Sequence, residues 1–232
     1  MRRGMAEALR TARSANRAVV LVTPLDGGAQ RLLDVEGLAL LALTDPVLAT
    51  AAREALGSDR AMTLQHQSGE LLITPHNPPL RLVVVGAVHI SESLCAMARQ
   101  CGYAVSVVDP RSAFLRPDRF PGVTLIGQWP QQAFAQLAPD ARTAVVLLTH
   151  DPKIDDPALL AVLPTPAFYI GALGSTRTHA RRLERLAAAG VSEADCARIH
   201  GPAGLGIGAR TPAEIAVSVL AQLTQVLRSA AQ

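Results

Sequence analysis

The sequence predicts an α/β fold in which a parallel β-sheet carries helices on both faces, preceded by a small α+β domain. Two observations lead to this prediction. Over residues 80–228, short apolar runs alternate with longer segments whose apolar residues recur at helical spacing, as in βαβ units. Residues 144–149 (AVVLLT) have almost no polar side chain, which is typical of a parallel strand covered on both faces. A proline-rich linker at 75–79 separates the expected domains, 1–78 and 79–232.

Turn and capping residues predict the elements of the N-terminal domain. Asp26-Gly27-Gly28 and Ser68-Gly69 each separate two short runs and indicate hairpins. Asp45 and Pro46 supply an N-cap and a first-turn proline. In order, we predict a helix at 3–15, strands at 18–23, 30–33 and 38–43, a helix at 46–56, and strands at 62–67 and 70–74.

The second domain begins with a Rossmann-like βαβ unit. Gly86 interrupts the apolar, β-branched run 82–85, and a segment with helical spacing follows at 90–101. Gly102 is expected to end that helix, because glycine adopts the left-handed C-terminal conformation at little steric cost. A second apolar strand is predicted at 103–108.

This unit resembles a dinucleotide-binding fingerprint with one substitution. Gly86 is the first glycine and Asp109 the acid at the end of the second strand, but Val88 occupies the position of the second glycine. That glycine lets the backbone approach a pyrophosphate, so the valine side chain is expected to obstruct an ordinary dinucleotide.

The rest of the chain continues the alternation of strands and helices. The final helix has the best-defined start, since Thr211-Pro212-Ala213-Glu214 reads as a capping box with proline at the first helical position. Before it we predict strands at 123–126, 144–149, 167–170 and 198–200, helices at 131–137, 156–162 (capped by Asp156-Pro157) and 176–190 (capped by Ser175 or Thr176), and a short helical turn at 192–195.

Composition narrows the classes of function. The net charge is +3 and the pI about 9.1, but aromatic residues make up only 3% and no basic–aromatic interleaving or reading helix is present, so we expect no nucleic-acid partner. No apolar run is long enough to span a membrane, and the N-terminus lacks a secretory pattern. Three cysteines without paired spacing indicate free thiols, and we expect a cytoplasmic protein.

Candidate binding residues follow several predicted strands. Ligands of open parallel sheets bind at the carboxyl ends of the strands, so these residues are expected to share one edge. The glycine-rich run before the final helix adds backbone N–H groups and a helix N-terminus, which favour an anion. The candidates are Gly86, Ala87, Val88, His89, Asp109, Arg111, Thr149, His150, Gly171, Gly174, Ser175, Arg177, Gly204, Gly206, Ile207, Gly208, Ala209 and Thr211.

Several of these residues have two interpretations. Asp109 either binds a ribose hydroxyl or caps the following loop, and Arg111 either accepts a phosphate or is solvated. His89 and His150 serve either as acid–base or metal-binding groups or as backbone hydrogen-bonding partners. No HxxH or HxxxH pair occurs, so no dedicated metal site is predicted. The absence of GxSxG and GxxxxGK[ST] segments argues against hydrolase and P-loop chemistry, and no catalytic residue is assigned.

Four segments together resemble the xanthine dehydrogenase accessory protein family (the XdhC/CoxI type). They are VVVGAVHISESLCAMARQCGYAVSVVDPR, LLTHDPKIDDPAL, YIGALGSTRTHARRLERL and HGPAGLGIGARTPAEIAVSVLAQL, in this order. The resemblance covers about residues 80–225, and residues 1–78 look like a short version of the family's N-terminal domain. In the family pattern a glycine is common at Val88 and an aspartate at Gly206.

The resemblance implies a chaperone that binds the molybdenum cofactor (molybdopterin), protects it and helps to sulfurate and insert it into a xanthine dehydrogenase-like molybdenum hydroxylase. It implies an accessory protein rather than an enzyme, with a cysteine desulfurase as a possible further partner. Residues 86–89 and 204–209 would line the cleft, while Arg111, Ser175 and Arg177 would engage phosphate.

Two other classes of function stay open from the sequence. One is an NAD(P)-dependent oxidoreductase on the same fold, although no Tyr-x-x-x-Lys pair is evident. The other is a scaffold that only docks partners. The apolar face of the final helix also leads us to expect a homodimer.

Overall fold

A computed structural model describes residues 3–229, and these form two compact units that meet in sequence at Pro78 and Pro79. The first unit is a four-stranded antiparallel sheet, in the order β2-β1-β4-β3, with three helices. Its elements are α1 (Arg3–Ser14), β1 (Val19–Pro24), β2 (Arg31–Leu33), α2 (Val35–Thr44), α3 (Pro46–Ser58), β3 (Met62–His66) and β4 (Gly69–His76).

The strand predicted at 38–43 is wrong, because these residues belong to helix α2. The carboxylate of Asp34 accepts a hydrogen bond from the Gly37 N–H at 2.9 Å and caps the helix. Leu38 and Leu41, which lie three residues apart, face the core, as expected on a helix rather than a strand. An apolar run of this length does not distinguish the two structures by periodicity alone.

The second unit confirms the predicted parallel sheet. Its six strands have the order β10-β9-β8-β5-β6-β7, and every neighbouring pair is parallel. The elements are β5 (Arg81–Val85), α4 (His89–Gln100), β6 (Ala104–Val108), β7 (Thr124–Ile126), α5 (Pro130–Leu137), β8 (Thr143–Leu147), α6 (Pro152–Val162), β9 (Tyr169–Ala172), α7 (Thr176–Ala188), α8 (Glu193–Cys196), β10 (Ile199–His200) and α9 (Pro212–Ser229).

Helices cover both faces of this sheet, as predicted. Alternate residues of the central strand β5 point to opposite sides, so Leu82 and Val84 pack with α4 and α9, whereas Val83 and Val85 pack with α5, α6 and α7. Both cores are mainly aliphatic. The alternation places α4 and α9 side by side on one face, and both helices begin at the carboxyl edge of the strands.

Helix α6 starts earlier than predicted. Asp151, not Asp156, is the N-cap, since its carboxylate accepts a hydrogen bond from the Lys153 N–H at 2.9 Å. Pro152 then occupies the first turn, where its missing N–H costs nothing, and Pro157 lies inside the helix. The remaining predicted helices and strands are present, with ends that differ by a residue or two. Among residues 3–229, no helix combines the length and apolar character needed to cross a membrane.

Candidate functional site

The candidate site lies at the carboxyl edge of the six-stranded sheet. The chain leaves β5 towards β6 on one side, while β8 pairs with β5 on the other, so the strand order reverses between β5 and β8. Open α/β sheets bind their ligands at such a switch point. The loops that follow β5, β6 and β8 therefore decide what the edge can hold.

Gly86 forms the turn after β5 and has a backbone angle φ of +109°, which side chains rarely tolerate. Its N–H donates to the Val108 carbonyl at 2.8 Å and ties the turn to the end of β6. A Cβ atom on Gly86 would lie 2.7 Å from the Thr149 methyl carbon. The turn after β5 and the loop after β8 are therefore in close contact.

The first turn of α4 leaves two backbone donors available. Val88 occupies the N-cap position, but its side chain has no atom that could accept a hydrogen bond from the helix amides. The Ser91 hydroxyl accepts from the N–H of Val88 itself at 3.2 Å. The Ser91 hydroxyl in turn donates to the Gly86 carbonyl. The amides of His89 and Ile90 make no hydrogen bond to any residue in 3–229. Free amides at a helix N-terminus form a site for an anion.

Asp109 is fully buried and belongs to the framework of the site. Its carboxylate accepts four hydrogen bonds of 2.9 Å, from the N–H of Ala87, the N–H of Arg111, and Nε and Nη2 of Arg111. Burial alone would raise the pKa of Asp109, but the hydrogen bonds from Arg111 and Ala87 outweigh it and hold the pKa below its usual value. Of the two interpretations above, the structure shows the loop-capping one.

A cleft of about 410 Å³ opens beside this framework, and we call it the β5–β6 cleft. It is lined by Ala87, Val88, His89, Arg111, Ala113, Phe114, Arg116 and Arg119. Its volume lies within the range of ligand pockets, roughly 300–1,000 Å³. The Arg111 guanidinium lies over the Phe114 ring, 4.7 Å from its centroid, and forms a flat, partly exposed surface.

Each of the three arginines in the cleft is paired with a carboxylate. Arg111 bonds to Asp109, Arg116 to Asp118 at 2.7 Å, and Arg119 to Glu92 at 2.6 Å. The pairing with Asp109 raises the pKa of Arg111 through the hydrogen bonds between them. Because a carboxylate neutralises each of them, these arginines offer N–H donors in fixed positions but no net positive charge. Such donors suit a ligand that is held by directed hydrogen bonds.

The predicted residues after β8 and β9 do not line the β5–β6 cleft. The Thr149 hydroxyl donates to Asp155 at 2.5 Å, and His150 is exposed. Gly171 is buried within β9, and a Cβ on Gly174 would lie 3.2 Å from the Thr178 side chain.

The two residues at the start of α7 that were predicted to engage phosphate have different roles in the structure. Ser175 caps the helix by accepting from the Thr178 N–H at 3.1 Å. Arg177 is exposed, and its side chain makes no hydrogen bond or ion pair with the described residues. The Ser175 hydroxyl is therefore used as the helix cap, whereas the Arg177 guanidinium is available to an anion.

The glycine-rich segment also stays outside the β5–β6 cleft. The Gly204 N–H donates to Gln222 Oε1 at 2.8 Å and holds the segment on α9, while Gly206, Ile207 and Gly208 are exposed and Ala209 is half-buried. The Glu214 carboxylate accepts from the N–H groups of Arg210 and Thr211 at 2.7 and 2.9 Å. The helix's own glutamate thus occupies these two amides at the start of α9.

Sequence reasoning missed four lining residues in the loop after β6, namely Ala113, Phe114, Arg116 and Arg119. All four lie between the strands predicted at 103–108 and 123–126, in a segment for which the sequence predicts no helix or strand. The available signal was the cluster of Arg111, Arg116 and Arg119 around Phe114, directly after a strand end. Among the described residues, no group of three or more histidine, cysteine or acidic side chains could hold a metal.

This chain is similar to several known proteins. Residues 82–223 match the family described as the XdhC Rossmann domain. The molybdenum cofactor insertion chaperone PaoD of Escherichia coli K12 is 33% identical over 64% of this chain and 41% of its own length. A protein of Bacillus subtilis 168, described as a probable xanthine dehydrogenase subunit, is 31% identical over 71% of this chain and 48% of its own length. The matched region thus spans less than half of these two relatives.

A solved structure supports the fold over nearly the whole chain. The crystal structure described as a xanthine dehydrogenase from Bacillus halodurans superposes with a TM-score of 0.60, at 21% identity, covering 96% of this chain and 94% of that one. At this identity the match bears on the fold alone. Because the family match covers more than half of the sequence and includes the whole turn after β5, the chain belongs to the XdhC family.

Proposed function

We propose that this chain carries the molybdenum cofactor as cargo and helps to insert it into a xanthine dehydrogenase-type molybdenum hydroxylase. The observation that supports this most directly is the β5–β6 cleft, with its free α4 amides and its three arginines. The relative PaoD, whose name describes cofactor insertion, matches this chain over 149 residues. We infer an accessory protein of the cytoplasm rather than a catalyst.

The cleft has the chemistry that a phosphorylated pterin requires. A phosphate group suits the amides of His89 and Ile90 together with the outward N–H groups of Arg111. A conjugated ring suits the surface formed by Phe114 and the Arg111 guanidinium. With a volume of about 410 Å³, the cleft lies near the lower end of the range for ligand pockets, which favours a mononucleotide-sized cargo.

No specific observation favours the nicotinamide alternative. Val88 faces the position where a pyrophosphate would approach the turn. The carboxylate of Asp109, which would bind a ribose hydroxyl in a dinucleotide enzyme, is buried and already accepts four hydrogen bonds. A cysteine desulfurase partner belongs to this proposal and rests on the family resemblance. A homodimer stays a prediction from the sequence, and the apolar face of α9 that suggested it packs against α4 and the sheet within the same chain.

Direct binding tests the proposal. The purified chain is mixed anaerobically with cofactor released from a molybdoenzyme, passed over a desalting column, and assayed for bound pterin by fluorescence after oxidation. Separate titrations use NAD and NADP. We expect retained pterin and no tight nicotinamide binding. Tight binding of NAD or NADP without pterin would refute the carrier function.

The His89→Ala variant is expected to weaken pterin binding about tenfold without changing stability. His89 lines the cleft, is exposed, and its side chain makes no hydrogen bond to a described residue, so its removal costs the fold within about 0.5 kcal/mol. Equilibrium binding and a thermal melt measure the two quantities. Gln131→Ala, equally exposed at the start of α5, is the control. Unchanged pterin affinity in His89→Ala would remove His89 from the site.

The Val88→Gly variant is expected to admit dinucleotides better than the natural protein. Removing the side chain opens the turn to a pyrophosphate, and we expect a several-fold gain in NAD or NADP affinity by titration calorimetry. Val88→Ala should give a smaller gain. If all three proteins bind NAD equally weakly, Val88 is not the barrier.

A further inference from the structure

A buried charged pair lies on the β8–β9 side of the carboxyl edge, away from the β5–β6 cleft. Arg182 on α7 and Asp155 on α6 are each 2% exposed, with Nη2 and Oδ2 separated by 3.8 Å. Removing two charges from water costs free energy that a pair at this distance recovers only in part, and apolar replacements are often equally stable. The pair therefore calls for an explanation other than stability.

Asp155 fixes the loop that follows β8. Its Oδ1 accepts from the Thr149 hydroxyl, and that hydroxyl accepts from the Asp151 N–H at 3.2 Å. Thr149 is thereby held in the orientation in which its methyl group and backbone face Gly86 in the turn after β5. Asp155 thus acts, through Thr149, on the turn that leads into the β5–β6 cleft.

Arg182 fixes the loop that follows β9. Its Nη2 donates to the Leu173 carbonyl at 2.9 Å, and its Nη1 lies 3.4 Å from His179 Nδ1. Its Nε is buried without a hydrogen-bond partner among the described residues. A buried N–H without an acceptor is costly. The contacts to Leu173 and Asp155 therefore set the position of this guanidinium, although its Nε–H has no acceptor there.

His150 lies between the residues that the pair holds. Its backbone has φ of +58°, a left-handed conformation that is uncommon outside glycine and persists only where the surrounding structure imposes it. Thr149 before it is bonded to Asp155, and Asp151 after it caps α6. The imidazole of His150 is exposed at the carboxyl edge in this conformation.

We propose that Asp155 and Arg182 are positioning residues of the cargo site, which hold the loops after β8 and β9 so that Thr149 supports the Gly86 turn and His150 stays at the edge. The part of this proposal that concerns cargo rests on the proposed function. The part that concerns the loops does not. Neither residue touches the cargo, and both act through Thr149 and Leu173.

The test replaces the pair by apolar residues of similar length in Asp155→Leu/Arg182→Met. Amide hydrogen exchange is measured without cargo, and pterin binding is measured as above. We expect exchange of the hydrogen-bonded amides of Asp151 and Leu173 to become at least tenfold faster, pterin affinity to fall about tenfold, and exchange in β5 to stay unchanged. Thr149→Val, which removes only the hydroxyl, should loosen 149–151 in the same way and serves if the double variant does not fold.

The chain offers a matched control in a second pair between the same two helices. Arg185 bonds to Asp156 at 2.5 Å, but on the solvent side. Asp156→Asn/Arg185→Met should leave both exchange and binding unchanged. Unaltered loop exchange in the buried-pair variants overturns the positioning role, whatever the protein binds. Faster exchange with unaltered pterin affinity overturns the link to the site. If the natural protein binds no pterin, the proposed function fails and the exchange result still decides the positioning role.

Discussion

Replacing Gly86 with alanine is expected to lower the free energy of unfolding by about 2–4 kcal/mol and to abolish ligand binding in the β5–β6 cleft. Two causes add up. The residue has φ of +109°, where a side chain is strained whatever the space, and the new Cβ would lie 2.7 Å from the Thr149 methyl carbon and 3.2 Å from the Thr149 nitrogen. Thr149 cannot simply rotate away, because its hydroxyl is bonded to Asp155.

Two further variants separate strain from collision in urea denaturation experiments. Gly102→Ala has a similarly positive φ of +87° but no atom within 4 Å of its Cβ, so it isolates the strain, about 1 kcal/mol. Gly86→Ala/Thr149→Ser removes the methyl that the Cβ meets and should recover about 1–2 kcal/mol of the loss. Equal losses in Gly86→Ala and Gly102→Ala would show that the contact with Thr149 contributes nothing.

The sheet could be predicted because each of its strands is marked locally. Runs such as 82–85 are β-branched and end at a glycine, and parallel strands buried on both faces carry few polar residues that would obscure the pattern. The same reasoning failed for α2, where the run LALLAL fits either structure and the deciding hydrogen bond, from the Gly37 N–H to Asp34, is a property of the folded chain.

The site could be predicted as far as it depends on strand ends. Val88, His89 and Arg111 follow β5 and β6 directly, and they line one cleft. The pairing of Asp155 with Arg182 joins two helices and depends on which faces of α6 and α7 meet, which no local pattern encodes.

A capping box at the start of α9 and an anion site on the same amides exclude each other. The capping box that correctly predicts the start of α9 requires the Glu214 carboxylate to bond the free amides there. A helix start that is capped by its own glutamate does not also offer those amides to a phosphate. The first turn of α4 differs because the Val88 side chain cannot cap it.

Replacing Asp109 with asparagine is expected to destabilise the protein by about 2–3 kcal/mol at neutral pH and to disorder the wall of the β5–β6 cleft. Asparagine has a side chain of the same size but no charge. The Asp109 carboxylate that it replaces accepts hydrogen bonds from the Ala87 N–H and from three N–H groups of Arg111. Arg111 is 40% exposed, so water screens part of the loss and the effect stays below that of a fully buried pair.

The dependence on pH distinguishes a lost charge from a lost shape. The pKa of Asp109 is lower in the folded protein than in the unfolded chain, where it is about 3.9. Its stabilisation is therefore fully present above pH 4 and disappears as the pH falls through the folded-state value. The difference in unfolding free energy between the natural protein and Asp109→Asn should shrink as urea titrations move from pH 7 towards pH 3.

Asp118→Asn provides the control for this titration, since Asp118 pairs with Arg116 on the exposed side of the same loop and its loss should hardly change stability. A difference for Asp109→Asn that is as large at pH 3 as at pH 7 would mean that hydrogen-bond geometry, not the carboxylate charge, holds the loop. In that case Arg111 would be positioned by Phe114 and its own backbone, and Asp109→Asn should still bind pterin. If the charge is what matters, stability and pterin binding should decline together as Asp109 is protonated, because the same four hydrogen bonds hold both the loop and the guanidinium.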